Sequence, residues 1–318
     1  MTRAVPDITP CSYADTAKMI AAEIVAHKQI ADNTYRLRLG CPEIAAQALP
    51  GQFVMLRIPQ RTDPLLARPL AIYDTFPEPF FKLRTNPLQV PASHSSANQA
   101  HPPHGYVDFV YAVHGKFTTA LKDLPPGRSV VIWGPLGNGF QIPAVDHLLL
   151  VAGGIGQTAL LALGRQHMGA AAYGTPSLAV PQAQRVTFCW GARHGGLFGD
   201  VDDFLEAGID VHLATLDGSV GHKGTVIDLL DNLFANCASP TNGSLHIACC
   251  GPEGMMAAVS CWSSARQVSC DVSLEAPMAC GIGICFTCVA KVRDASGAWD
   301  YRRTCIEGPV FDATRIEW

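Results

Sequence analysis

Four cysteines near the C-terminus stand at a spacing suited to iron and sulfur. Cys280, Cys285 and Cys288 follow one another as Cys-x4-Cys-x2-Cys, and Cys305 comes after sixteen further residues. This is the plant-type ligand pattern of a [2Fe-2S] cluster, in which a tight loop wraps three thiolates round the metals and a later strand returns the fourth. Gly281 and Gly283 suit such a loop, because a chain curling round a cluster needs positive-φ positions and bare amides facing the sulfurs. Cys-x2-Cys is also half of a structural zinc site. Zinc usually draws on two separated pairs, whereas Cys305 has no nearby Cys or His, so the spacing favours the cluster.

A second chemical feature is the turn Gly153-Gly154-Ile155-Gly156, between the apolar run Leu148–Ala152 and a helical stretch over 157–168. A nucleotide diphosphate can approach bare backbone there and meet a helix N-terminus. Glycine turns between strand and helix also serve packing alone. Cys250-Gly251-Pro252, at the end of a later strand, supplies context as another wall of the same crevice. Upstream, Arg68-Pro69-Leu70-Ala71 places an arginine before a proline at a strand start, where a fixed guanidinium can grip a phosphate, although the dipeptide also marks ordinary strand entries. Gly115-Lys116-Phe117-Thr118 opens a helix with a threonine near its N-cap, another place for phosphate oxygens.

These residues need scaffolds. A chain of 318 residues points to about two or three domains. Over 21–143 the pattern is short strands with Gly and Pro punctuation, which predicts an antiparallel barrel. Tyr35, Leu37 and Leu39 alternate with Arg36 and Arg38, the period of a half-buried strand. Further strands are expected over 52–58, 69–73, 80–83 and 105–113. The Pro, Ser, Asn and His-rich stretch 86–105 reads as an exposed loop, and its His94, His101 and His104 lack carboxylate or cysteine partners. Over 147–262 strands and helices alternate, which predicts a doubly wound α/β unit with its ligand beyond the carboxyl ends of the strands. Within it, 169–184 reads as a loop insertion in which nothing suggests chemistry.

Composition excludes several partners. Net charge is −4 with scattered Lys and Arg, so there is no footprint for nucleic acid and no polybasic membrane patch. The longest apolar run, 148–164, is broken by Gly153, Gly154, Gly156, Gln157 and Thr158, so no membrane insertion is expected. Residues 1–27 carry no secretory pattern, so the chain reads as cytoplasmic, with reduced cysteines. Cys11, Cys41, Cys189, Cys237, Cys261 and Cys270 then read as small buried hydrophobes or surface thiols.

Together, the Arg68-Pro69 run, Gly115–Thr118, Gly134-Pro-Leu-Gly-Asn-Gly-Phe140, the Gly153 turn and Cys250–Pro252 resemble the ferredoxin-NADP reductase superfamily. Within it, Glu275–Cys288 and Thr304–Phe311 are similar to the electron-transfer subunits of the NAD-dependent, two-subunit dihydroorotate dehydrogenases. The resemblance covers about 20–318. It implies a multi-domain β plus α/β fold: an N-terminal tail over 1–19, an antiparallel FAD-binding β-barrel over 20–143, an NAD-binding doubly wound α/β domain over 144–264 and a small [2Fe-2S] domain over 265–318. Carried over residue by residue, it assigns FAD to Arg68, Pro69, Leu70, Ala71, Val110, Tyr111, Ala112, Phe117 and Thr118. It assigns NAD to Gly153, Gly154, Gly156, Cys250 and Gly251, and the cluster to Cys280, Cys285, Cys288 and Cys305. The chain departs from the family where Ala71 replaces a usual Ser, Ala112 a frequent Arg and Phe117 a Gly, and where Thr158-Ala159 replaces a small-residue–Pro pair. The lost hydroxyl and guanidinium would remove a hydrogen bond toward the flavin and a phosphate partner.

The implied chemistry is a wire. A nicotinamide exchanges two electrons as hydride and a [2Fe-2S] cluster carries one, so a flavin must convert between them. No Ser-His-Asp set, carboxylate pair or base dyad is visible for work on an organic substrate. The resemblance supplies that half as an FMN-containing catalytic subunit, oxidising dihydroorotate to orotate in pyrimidine synthesis within a heterotetramer. Two alternatives keep part of this reading: a reductase subunit of another redox complex, of sulfhydrogenase or ferredoxin-reductase type, and a redox-sensing module with a degenerate flavin site. Arg193 and His194 follow the second α/β strand, where basic residues favour NADP and acidic ones NAD; the resemblance implies NAD.

Overall fold

A computed structural model describes residues 15–76, 105–235 and 244–318. The expected strand over 80–83, the His-bearing loop, Cys11 and Cys237 lie outside the described residues.

The first sheet has seven antiparallel strands: β1 (Lys18–Ala31), β2 (Thr34–Gly40), β3 (Phe53–Arg57), β4 (Arg68–Ala71), β5 (Asp74–Phe76), β6 (Tyr106–Ala112) and β7 (Ser129–Leu136), in the order β4-β3-β7-β1-β2-β6-β5. β1 pairs β7 through its first half and β2 through its second, with a bulge between Ile24 and Ala26, and this lets the sheet curl. Alternate residues such as Ile24, Leu37, Leu39, Val54, Leu56, Phe109 and Ile132 fill the core. Two short helices, α1 (Pro42–Ala45) and α2 (Gly115–Lys122), accompany the sheet.

The alternation on β2 places Arg36 and Arg38 toward solvent, and the structure differs. Both are buried. Asp108 on β6, directly opposite Arg38, accepts from Arg36 Nε at 2.6 Å and from Arg38 Nε and Nη2 at 2.6 and 2.8 Å. Period-two patterning assigns a face by hydrophobicity and misses a charge neutralised from the neighbouring strand.

The second sheet contains β8 (His147–Gly153), β9 (Arg185–Ala192), β10 (Asp210–Thr215), β11 (His222–Lys223), β12 (Leu245–Cys250), β13 (Ser269–Ser273) and, after the intervening hairpin β14 (Val289–Arg293) and β15 (Trp299–Arg303), β16 (Val310–Asp312). Its order is β11-β10-β9-β8-β12-β13-β16, parallel except for β16 against β13. Helices α3 (Leu161–His167), α4 (Val201–Glu206), α5 (Val226–Phe234) and α6 (Glu253–Ala265) accompany the strands. β8 is buried along its whole length, with Leu148 and Leu150 in one core and Leu149 and Val151 in another, as a strand covered on both faces must be. Thr225 and Asp228 close a reciprocal capping box at the start of α5. β13 and β16 fall inside 265–318 yet hydrogen-bond into this sheet, so the C-terminal segment is tied to the α/β unit on both sides of the cysteine loop. No helix among the described residues is long and apolar enough to cross a membrane.

Burial also places an acid-sensitive group. His147, at the start of β8, accepts or shares a proton with Thr187 Oγ1 at 2.9 Å, and burial beside Arg185 lowers its pKa from 6.5 to about 4. A depressed folded-state pKa gives stability that is present above pH 6.5 and lost as pH falls toward 4. At ~1.4 kcal/mol per unit, the loss is at most about 3 kcal/mol. Unfolding midpoints between these two pH values are expected to fall less in His147→Gln than in the wild type.

Candidate functional site

A cavity of about 1200 Å³ lies where the barrel, the α/β unit and the cysteine loop meet. The barrel contributes Arg68, Pro69, Leu70 and Ala71 from β4, Val110, Tyr111 and Ala112 from β6, and Phe117 and Thr118 from α2. Ile155, Thr158, Ala159 and Cys250 enter from the α/β side, and Ala276 to Ala279 with Thr287 from the cysteine loop. All nine residues expected at a flavin thus border one cavity, as does Cys250. Gly153, Gly154, Gly156 and Gly251 do not line it; Ile155, between two of them, does.

The expected helix over 157–168 begins instead as a 3-10 turn, Gly154–Ala159, before α3. Gly156 lets that turn press on the end of β12: a Cβ there would lie 2.1 Å from the Cys250 carbonyl oxygen. Backbone cannot give way as a side-chain tip can. Gly156→Ala is therefore expected to push Ile155 and Thr158 out of place and, if this turn seats a nicotinamide nucleotide as the motif implies, to weaken NADH binding about tenfold or more, read by titration, while the separate barrel core stays intact.

The departures in the barrel find local explanations. Phe117 is buried in the barrel core, so its ring leaves the start of α2 open, and a Cβ at Gly115, φ +76°, would meet nothing within 4 Å. His114 is the N-cap and has no side-chain capping bond. Thr118 is not at the cap but one turn in, accepting from the His114 N–H at 2.6 Å. With Ala112 uncharged, the cavity's cations are Arg68 and Lys116, the latter paired with Asp63 at 2.7 Å. These cations and the exposed α2 amides fit a diphosphate, and the apolar stretch from Leu70 to Val110 fits a flat ring system.

Burial pushes the Cys250 thiol up to about 12, next to the carboxylate of Glu275, which is itself solvent-exposed. Glu275 and Ser273 border the cavity and were missed by sequence reasoning. Glu275 was visible only as the first residue of the cysteine motif; nothing in its spacing places it beside Cys250.

The cysteine loop curls through Gly281 at φ +73° and Gly283 at φ +80°. Its thiols sort into two pairs, Cys280 with Cys285 and Cys288 with Cys305. Among the described residues no three such ligands are arranged around one metal ion. Two pairs suit two irons better than one zinc. The Cys285 thiol falls to about 6, chiefly through hydrogen bonds from Thr287, and the Cys288 thiol to about 6, chiefly through its hydrogen bond with Cys305. Thiolate is the form that binds metal. The loop is held by Trp133 Nε1 on the Cys280 carbonyl at 2.9 Å and Arg303 Nη1 on the Gly283 carbonyl at 3.0 Å.

Residues 275–317 match the family model described as the iron-sulfur cluster binding domain of dihydroorotate dehydrogenase B. The electron transfer subunit of dihydroorotate dehydrogenase B (NAD(+)) from Desulforamulus reducens is 32% identical over 303 residues, covering 95% of this chain and 99% of the relative. The chain belongs to this family of electron transfer subunits. Subunits of the same description from Geobacillus thermodenitrificans and Listeria monocytogenes serotype 4b are 31% and 32% identical, each over 92% of this chain and over 96% and 97% of the relative. The family, fold class and electron-transfer role read from the motifs are therefore borne out. Among solved structures, the NADH-dependent reduced ferredoxin-NADP oxidoreductase superposes with a TM-score of 0.71 at 26% identity, covering 94% of this chain and 90% of that one. Phthalate dioxygenase reductase shares the fold at 14% identity and a TM-score of 0.53, over 94% and 96% of the two chains.

Proposed function

We propose that this electron transfer subunit carries electrons from an FMN-containing catalytic subunit, which oxidises dihydroorotate to orotate, through a [2Fe-2S] cluster and FAD to NAD+. The observation that carries the reading is the single cavity walled by all three parts of the chain. Residues 276–279 of its wall lead directly into Cys280, so flavin and cluster would be separated only by the loop that holds the metals. Bound there, FAD converts between hydride and single electrons. Arg68, Lys116 and the start of α2 would hold its diphosphate, and Leu70 and Val110 would flank its ring. Ile155, Thr158 and Cys250 would seat the nicotinamide against it. Cys280 and Cys285 would grip one iron, Cys288 and Cys305 the other. The family name favours NAD, and the setting is proposed to be the cytoplasm within a heterotetramer.

Anaerobic titration of the purified chain with NADH is the direct test. Flavin and iron-sulfur absorbance that bleach together support the reading, and a cluster spectrum without flavin refutes it. A second reading, a subunit of a ferredoxin-linked reductase, draws on the likeness to the NADH-dependent ferredoxin-NADP oxidoreductase. Coupled turnover with the catalytic subunit distinguishes the two.

On the cluster loop Ile284 and Phe286 are 73% and 63% exposed, and Trp299 and Tyr301 on β15 are exposed as well. Such large apolar side chains in water suit a protein partner. Ile284→Ser with Phe286→Ser is expected to weaken binding of the catalytic subunit about a hundredfold, a loss of ~2.7 kcal/mol at ~1.4 per decade. NADH reduction of the isolated chain should be unchanged, and equal affinity in a binding assay would exclude this face.

A further inference from the structure

The barrel and the α/β unit are joined by wholly or partly buried charges that the electron path does not use. Arg36 on β2 donates through Nη1 to Asp200 at 2.8 Å and to Asp203 at 2.7 Å, both from the start of α4, and Tyr73 Oη donates to Asp203 at 3.0 Å. The same guanidinium is anchored through Nε to Asp108 in the barrel. A second set lies nearby. Asp74 on β5, with no side-chain exposure, accepts from Arg165 on α3 and from Tyr173 Oη at 2.6 Å. Tyr173 belongs to the insertion 169–184, which also donates from Thr175 Oγ1 to the Ala46 carbonyl at 2.8 Å. The insertion is therefore a strap from the α/β unit across to the barrel.

Buried ion pairs are poor stabilisers, since ordered apolar packing does as well, but they fix register because each bond tolerates little displacement. What they register here is readable from the chain. Three segments of cavity wall run straight into them: Ala71 is followed by Tyr73 and Asp74, Val110 is preceded by Asp108, and Ala159 is followed within α3 by Arg165. Asp200 holds its place with φ +55°, a left-handed conformation uncommon outside glycine.

We propose that Arg36–Asp203 and Asp74–Arg165–Tyr173 form a two-point latch whose residues position the nicotinamide half of the cavity against the flavin half for hydride transfer. The inference rests on the functional reading above, in which a hydride passes from the reduced flavin to NAD+ and leaves NADH; reduction by NADH runs the same transfer in reverse. Domain closure in other enzymes serves this purpose by motion. Here the halves are pinned beforehand, and none of the latch residues lines the cavity. Hydride transfer is sensitive to such placement, a 1 Å error costing on the order of 100-fold.

The test uses the full chain carrying FAD and cluster, with Asp203→Asn, which keeps the shape of the side chain, Tyr173→Phe, which removes one hydroxyl, and the double variant. Stopped-flow reduction by NADH gives the rate constant and the nucleotide affinity. The long-wavelength charge-transfer absorbance reports nicotinamide stacked on flavin. Each single variant is expected to lower the rate constant about tenfold and the double by more, with weakened charge-transfer absorbance and NADH affinity changed less than about threefold. A merely structural role would lower the melting temperature and leave rate and absorbance alone. Wild-type rates and absorbance in all soluble variants would overturn the latch, and if Asp203→Asn is insoluble, Tyr173→Phe decides. Amide exchange over 108–112 and 158–165 is followed in parallel. If NADH fails to reduce even the wild type, the functional reading falls, and the latch then stands on faster exchange in the variants or falls on unchanged exchange.

Discussion

In a Cys305→Ser variant, NADH is expected to bleach the flavin at the wild-type rate while turnover coupled to the catalytic subunit falls on the order of 100-fold or more, beyond the 10–100-fold typical of changes in groups that only support metal ligands. Cys305 is fully buried and pairs with Cys288, and removing it leaves one metal position with a single thiolate. A serine hydroxyl is a poor ligand at neutral pH because it does not ionise as a thiol does. Cys305 does not line the cavity proposed for flavin and nicotinamide, so exchange between NADH and flavin should survive. Visible absorbance and iron content check the cluster, and flavin stoichiometry checks the cavity. Intact coupled turnover in a variant without iron would remove the cluster from the path.

Why was so much of this arrangement readable beforehand? The cysteine spacing, the Gly153 turn and the Arg68-Pro69 run are local: each puts its groups in place through backbone geometry a few residues long. The alternation of strand and helix over 147–262 was equally local, and it holds for β8, β9, β10 and β12, whereas β11, two residues long, carries no pattern of its own. What spacing cannot express is contact between distant segments. Glu275 meets Cys250 only because β13 pairs with β12, and β13 itself was assigned to the C-terminal domain. The insertion 169–184 looked inert because its one buried phenol, Tyr173, acquires meaning only from Asp74, about a hundred positions earlier. Arg36 and Arg38 read as solvent-facing for the same reason. Their partner sits on a strand seventy residues away, and Phe76 adds a ring 4.2 Å from the Arg38 guanidinium carbon.

That buried pairing sets the second large effect. Asp108→Ala is expected to lower the unfolding free energy by about 3–5 kcal/mol, a large part of the roughly 5–15 kcal/mol that holds a domain together. The carboxylate has no exposure and accepts from two guanidiniums, of which Arg38 is almost fully buried and Arg36 retains Asp200 and Asp203. The cost is therefore that of removing the carboxylate that faces an almost fully buried Arg38, since arginine cannot shed its proton. Two further variants separate this cause from simple loss of volume. Asp108→Asn keeps the shape and should still cost most of the energy if charge is what matters. Arg38→Met combined with Asp108→Asn removes both charges of the pair, leaves Arg36 its partners on α4, and should recover much of the stability. Urea unfolding of the three proteins measures the difference. Equal losses in Asp108→Asn and in the double variant would mean that packing, not charge balance, holds β2 against β6.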